Sequence, residues 1–135
     1  MSWDISIGDF PPEIASVQDF PSDFSMKPLG THAEIIEKIC VLYPQANFSD
    51  PAWGLINGEG YSIEVNMGKK EPLTGFMLHV RGGEQAMFAV ADLLDHLHLR
   101  GIDCQTSEFF VLREGLDSFQ KWRVYRDRVV RDKTP

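Results

Sequence analysis

This sequence predicts an α+β fold: a mainly antiparallel four- to five-stranded sheet, two helices on one of its faces and a C-terminal helix. Three observations carry that expectation. Apolar residues twice recur at every second position, first at Tyr61, Ile63, Val65 and Met67, then at Phe76, Leu78 and Val80. A side chain that returns to the same side every two residues marks a strand buried on one face. Directly after them Met87, Val90, Ala91, Leu94 and Leu97 recur with the 3.6-residue period of a helix. Thr31 and Glu34 form a capping box ahead of a second apolar stripe, Ile35, Ile36, Ile39, Cys40 and Tyr43.

Taken in order, Trp3, Ile5 and Ile7 alternate with Asp4 and Ser6 as a short first strand that Gly8 ends. Residues 9–30 hold Pro11, Pro12, Pro21 and Pro28 and keep no period, so they read as a long loop. Phe10, Phe20, Phe24 and Met26 are too many large apolar groups for a free linker, so the loop is expected to lie ordered on the body of the domain, with a short helical turn within 13–18. The Thr31 helix stops at Pro44. Trp53 to Ile56 reads as a strand, and Asn57-Gly58-Glu59-Gly60 as the hairpin turn to the Tyr61 strand. The Tyr61 and Gly75 strands complete a three-strand meander. A helix follows over 84–99, with Gly101 as its stop. A strand over 102–106 comes next, and 108–113 extends it or forms another. Phe119, Trp122, Tyr125 and Val129 place a last helix over 116–131, and 132–135 should fray. The 135 residues suit one domain, 1–135.

Composition narrows the function classes. A hydrophobic content of 43% and a charged content of 24% are those of an ordinary globular protein. The net charge of −7 and a pI near 5.0 disfavour nucleic acid and favour a basic partner protein. No apolar run approaches the roughly 20 residues that span a bilayer, so no membrane role is expected. The start Met1-Ser2-Trp3-Asp4 has no basic region followed by an apolar run, which points to the cytoplasm. Cys40 and Cys104 are expected as buried, reduced thiols.

Residue parity assigns the two faces of the sheet. Trp3, Ile5, Ile63, Val65, Leu78 and Val80 should meet the helices. Asp4, Ser6, Glu64, Asn66, His79, Arg81, Asp103 and Gln105 should face the other way. Glu64, Asn66, His79, Arg81 and Asp103 are therefore the candidate binding residues. A Glu-His-Arg cluster can orient an anion or move a proton; cross-strand charge pairing on a solvated face explains the same residues without function. The 9–30 loop is a third possibility, as a cover over part of this face. Asp92 and His96 share a helix face as metal ligands must, but no third ligand is near. Arg81-Gly82-Gly83 precedes a helix N-terminus yet matches no nucleotide-binding pattern. Phe48, Trp53 and Tyr61 are read as a satellite core under the hairpin. No catalytic residue, metal ligand or cofactor is assigned.

The run Phe48-Ser49-Asp50-Pro51-Ala52-Trp53-Gly54, then Tyr61-Ser62-Ile63-Glu64, then Phe76-Met77-Leu78-His79-Val80-Arg81-Gly82-Gly83, resembles a widespread family of small uncharacterised bacterial proteins. Trp122-Arg123-Val124-Tyr125-Arg126-Asp127-Arg128 resembles that family's C-terminal helix, so the likeness covers nearly the whole chain. It implies no catalytic residues. In size, acidity and layout the chain is also similar to the immunity proteins of contact-dependent toxin systems. The expected function is a small acidic protein-binding module of the cytoplasm, toxin neutralisation being the role that this second likeness implies. The alternative is an enzyme or small-ligand binder using the polar sheet face.

Overall fold

Trp3–Gly8 (β1) occupies an inner position of the sheet, and the meander Trp53–Gly58 (β2), Tyr61–Asn66 (β3) and Gly75–Gly82 (β4) joins it through β4. On its other side β1 pairs with Arg100–Asp103 (β5), which pairs with Glu108–Phe109 (β6). All five pairings are antiparallel, in the order β2-β3-β4-β1-β5-β6. This is a computed structural model, and it describes residues 2–112 together with Lys121, Val124, Tyr125, Asp127 and Arg128. The α+β class holds, but among the described residues the sheet has six strands rather than four or five. The strand expected over 102–106 is β5, and β6 makes the difference: 108–113 could extend that strand or form another, and two residues are too few to show a period.

Two helices, His32–Leu42 (α1) and Gln85–Leu97 (α2), pack on one face. Both halves of the expected capping box are made at Thr31 and Glu34. Ile63, Val65, Leu78 and Val80 are fully buried against Ile35 and Ile39 of α1 and Met87, Val90 and Leu93 of α2. The Tyr43 hydroxyl donates to the Ala89 carbonyl at 2.7 Å and ties the end of α1 to α2. α2 ends earlier than expected, at a left-handed His98. Gly101 belongs instead to β5, where a Cβ would stand 2.7 Å from the Ile5 Cγ2. The helix expected at 116–131 lies outside the described residues except for helical backbone at Lys121, Val124, Tyr125, Asp127 and Arg128, and 132–135 lies outside them altogether.

The 9–30 loop is ordered and contains a 3-10 turn at Val17–Asp19. It crosses the second face of the sheet. Gly8 and Gly75 lie opposite each other on β1 and β4, and a Cβ on Gly8 would stand 2.2 Å from the terminal methyl of Met26. The missing side chains leave the seat that Met26 occupies. Phe10, Phe20 and Phe24 gather with Phe109 of β6 at centroid distances of 4.7–5.8 Å. Arg100 lies 3.5 Å over the Phe109 ring and donates to the Pro11 and Ile14 carbonyls at 2.6 and 2.7 Å. Glu108 accepts from the Ser16 hydroxyl. The loop therefore closes the β5–β6 half of this face and leaves the other half open.

The rims of the sheet are short or occupied. Asn47 makes both backbone hydrogen bonds to Leu55, at 2.8 and 2.9 Å, on the outer side of β2. At the other rim β6 is two residues long.

Candidate functional site

Register builds the open half of the second face from rows of facing residues. One row crosses four strands as Leu55, Glu64, His79 and Asp4. The next runs through Trp53, Asn66, Met77 and Ser6 to Ile102 and Phe109. Ser62 and Arg81 lie opposite each other beyond the first row. Glu64, Asn66, His79 and Arg81, four of the five candidate residues, thus share one patch. Pairing across antiparallel strands is what brings them within reach of each other.

The fifth does not belong to it. Asp103 faces the helix side, opposite Ile5, and is buried. There its carboxylate accepts from the Trp3 indole N–H at 3.2 Å and from the Gln105 backbone N–H at 2.9 Å. The expected parity is reversed on β5 because the loop's aromatic cluster makes that half of the second face apolar. Ile102 points there, beside Phe109, and Asp103 turns inward to a donor that satisfies it.

Within the patch the ionisable groups are paired. His79 Nδ1 lies 2.8 Å from Asp4 Oδ1, and Asp4 also accepts from the Ser2 hydroxyl at 2.6 Å. Arg81 donates to Glu64 at 2.9 Å. That bond, ahead of the attraction of Arg81 and His79, holds the Glu64 carboxyl below its usual range. Trp53 stacks on His79 with centroids 5.4 Å apart and planes 17° from parallel. It is 43% exposed.

Trp53 is the residue that sequence reasoning misplaced. Phe48 and Tyr61 do pack on the helix-side core, with Phe48 against Gly54. Trp53 precedes Gly54 on the same strand, so it points to the opposite face; alternation along β2 carried that signal. Cys104 is likewise no core thiol. The residue is exposed after β5, but its Sγ lies 4.0 Å from Met77 Sδ, and this partial desolvation, ahead of the charges of Asp4 and Asp103, raises the thiol pKa.

The remaining candidates are engaged in the fold. His96 Nε2 contacts the Lys38 carbonyl at 2.8 Å. Among the described residues no three His, Cys, Asp or Glu side chains are grouped to hold a metal ion. Gly83 donates to the Gly60 carbonyl at 2.9 Å, and a Cβ on Gly82 would collide with that same carbonyl, so these glycines serve close backbone approach. No helix among the described residues is long and apolar enough to cross a membrane.

One engaged histidine drew no notice in the sequence. His32, in the first turn of α1, is buried, with Nε2 2.7 Å from the Gly68 carbonyl and Nδ1 2.8 Å from Glu71. Its backbone N–H donates to the same Glu71 oxygen at 2.8 Å. A lone histidine beside a cap carries no spacing that announces such partners. Comparison with protein-family models, curated proteins and solved structures found no match.

Proposed function

We propose that this chain is a protein-binding module whose partner docks on the open half of the sheet face. The observation that carries the reading is Trp53, held flat against His79 and still 43% exposed, with the Arg81–Glu64 pair and Met77 on the same face. An exposed aromatic on a rigid strand offers a large contact area at little entropic cost, and such residues dominate binding energies at interfaces. Flanked on its inner side by charges already paired, it makes a hydrophobic anchor beside polar groups. The partner is a basic protein, as the acidity of the chain favours. In its most specific form the role is toxin neutralisation in the cytoplasm of a bacterium, supported by the general likeness to immunity proteins.

Capture of partners from cells in which the chain is native tests this reading. The parent should retain a basic protein that Trp53→Ala loses by about 2 kcal/mol or more, the usual size of an aromatic hot spot. The triple substitution Glu64→Ala, His79→Ala, Arg81→Ala should abolish retention. Equal retention by correctly folded variants would make this face an ordinary solvated surface.

A second reading rests on the His79–Asp4 contact. A histidine oriented by a carboxylate is the arrangement that general acid–base catalysis uses, so the same patch also suits an enzyme or small-ligand binder. Strong thermal stabilisation by a metabolite, with no protein partner recovered, would put this reading first.

A further inference from the structure

Beside the first turn of α1 the surface opens into a groove of about 750 Å³. Three segments wall it: α1, the corner at 50–52 and the turn at 68–71. Its floor is apolar, from Ala33, Ile36, Pro51 and Ala52. Its rim carries three carboxylates, Glu37, Asp50 and Glu71.

Much of the acceptor capacity of that rim is unused. Glu37 makes no hydrogen bond or ion pair among the described residues. Asp50 uses Oδ1 on the Ala52 N–H at 2.9 Å, and Glu71 uses Oε1 on His32. On the donor side both His32 ring nitrogens are occupied by Glu71 and Gly68, which leaves Lys69. The His32 bonds also fix the 68–71 turn against α1, so the groove is formed before anything enters it. An apolar trough edged by spare carboxylate oxygens is complementary to a cation on an aliphatic stem, which lays the stem on the floor and its head on the rim.

We propose that this groove binds a lysine- or arginine-bearing segment of a partner protein. A volume of this size exceeds one side chain and suits a short stretch of peptide, and the open mouth suits a segment that continues beyond it. The groove also adjoins the docking patch, since Ala52 on its floor directly precedes Trp53. The proposal rests on the protein-binding reading for the nature of the ligand, but the groove and the patch are separate surfaces and fail separately.

The test is titration of the full-length, ¹⁵N-labelled protein with two capped hexapeptides, Ala-Leu-Lys-Leu-Arg-Ala and the same peptide with glutamate at both charged positions. The basic peptide should shift the amides of Ala33, Ile36, Ala52 and Gly68, and the acidic one should not. Glu37→Lys should weaken the basic peptide about tenfold, because it replaces an unpaired acceptor by a like charge and disturbs no internal bond. Glu59→Lys, the same charge change at an exposed position outside the groove, should leave peptide affinity unchanged. Equal binding of both peptides, indifference to Glu37→Lys, absence of binding at millimolar concentration, or an equal loss of binding on Glu59→Lys would each overturn the groove as the site. If Trp53→Ala still impairs partner capture in any of those cases, the docking patch stands without it.

Discussion

His32 joins three parts of the chain through short bonds to one carbonyl and one carboxylate, and the protonation of the two side chains decides how firmly. The Gly68 carbonyl first, and the Glu71 carboxylate second, raise the His32 pKa above its ordinary 6.5. The His32 N–H groups, backbone before ring, hold Glu71 below its ordinary 4.5. A raised histidine pKa stabilises the fold below the unfolded value, and the effect fades as pH rises through the folded value. A lowered carboxylate pKa stabilises above the unfolded value and fades as pH falls through the folded one. The bridge therefore contributes most between 4.5 and 6.5. Glu37 and Lys69 in the adjoining groove add opposite charges nearby. Denaturant melts of the parent and of His32→Gln should differ most in that window, and the difference should shrink as pH rises through the raised pKa of His32. A difference that stays constant with pH would mean that shape, not charge, is what His32 supplies.

At the scale of elements, the meander and the two helices carry the core, and the loop is held by a few identifiable contacts. Leu78 is fully buried between β3 and β1 under α2, so Leu78→Ala should cost about 2–5 kcal/mol in denaturant melts. A loss under about 1 kcal/mol would put Leu78 outside the core. The loop is tethered by Arg100, which gives two hydrogen bonds to Pro11 and Ile14 and covers Phe109. Arg100→Ala should lower stability by about 1–3 kcal/mol and expose 9–26 to limited proteolysis ahead of the rest of the chain. An unchanged cleavage pattern would show that the phenylalanine cluster holds the loop alone. These two regions also differ in how plainly the sequence announced them. In β3, β4 and α2 one face is apolar throughout, so period alone placed Ile63, Val65, Leu78 and Val80 correctly. On β5 both faces are partly apolar, and there parity failed at Asp103. Which way that short strand turns depends on where Phe10, Phe20 and Phe24 come to rest, some eighty residues earlier. Trp53 sits between these cases: its strand was recognised and its side was not, because aromatic residues close in sequence suggested a shared core.

For the molecule as a whole, charge is divided unevenly along the chain. Through Leu112 there are six basic and sixteen acidic residues; beyond it there are seven basic and four acidic. Most of the negative field therefore comes from the sheet-and-helix body, and a basic partner approaching it is drawn in from several ångströms away. Association should be fastest at low ionic strength and slow markedly between about 50 and 500 mM salt, as the Debye length shrinks to a few ångströms. Stopped-flow rates that ignore salt would remove the electrostatic part of the docking reading. The rims of the sheet bear on how copies of this chain meet one another. A β-strand with free backbone groups is a template that any unfolded or partly folded chain can copy, and fibres grow from it. Here Asn47 takes both bonding groups of Leu55 at the centre of one rim, and the other rim offers two residues, so among the described residues neither supplies the run of bare amides and carbonyls that templated growth requires. On the proposed docking reading, recognition then falls to side chains on a face, which discriminate between partners, rather than to backbone on an edge, which does not.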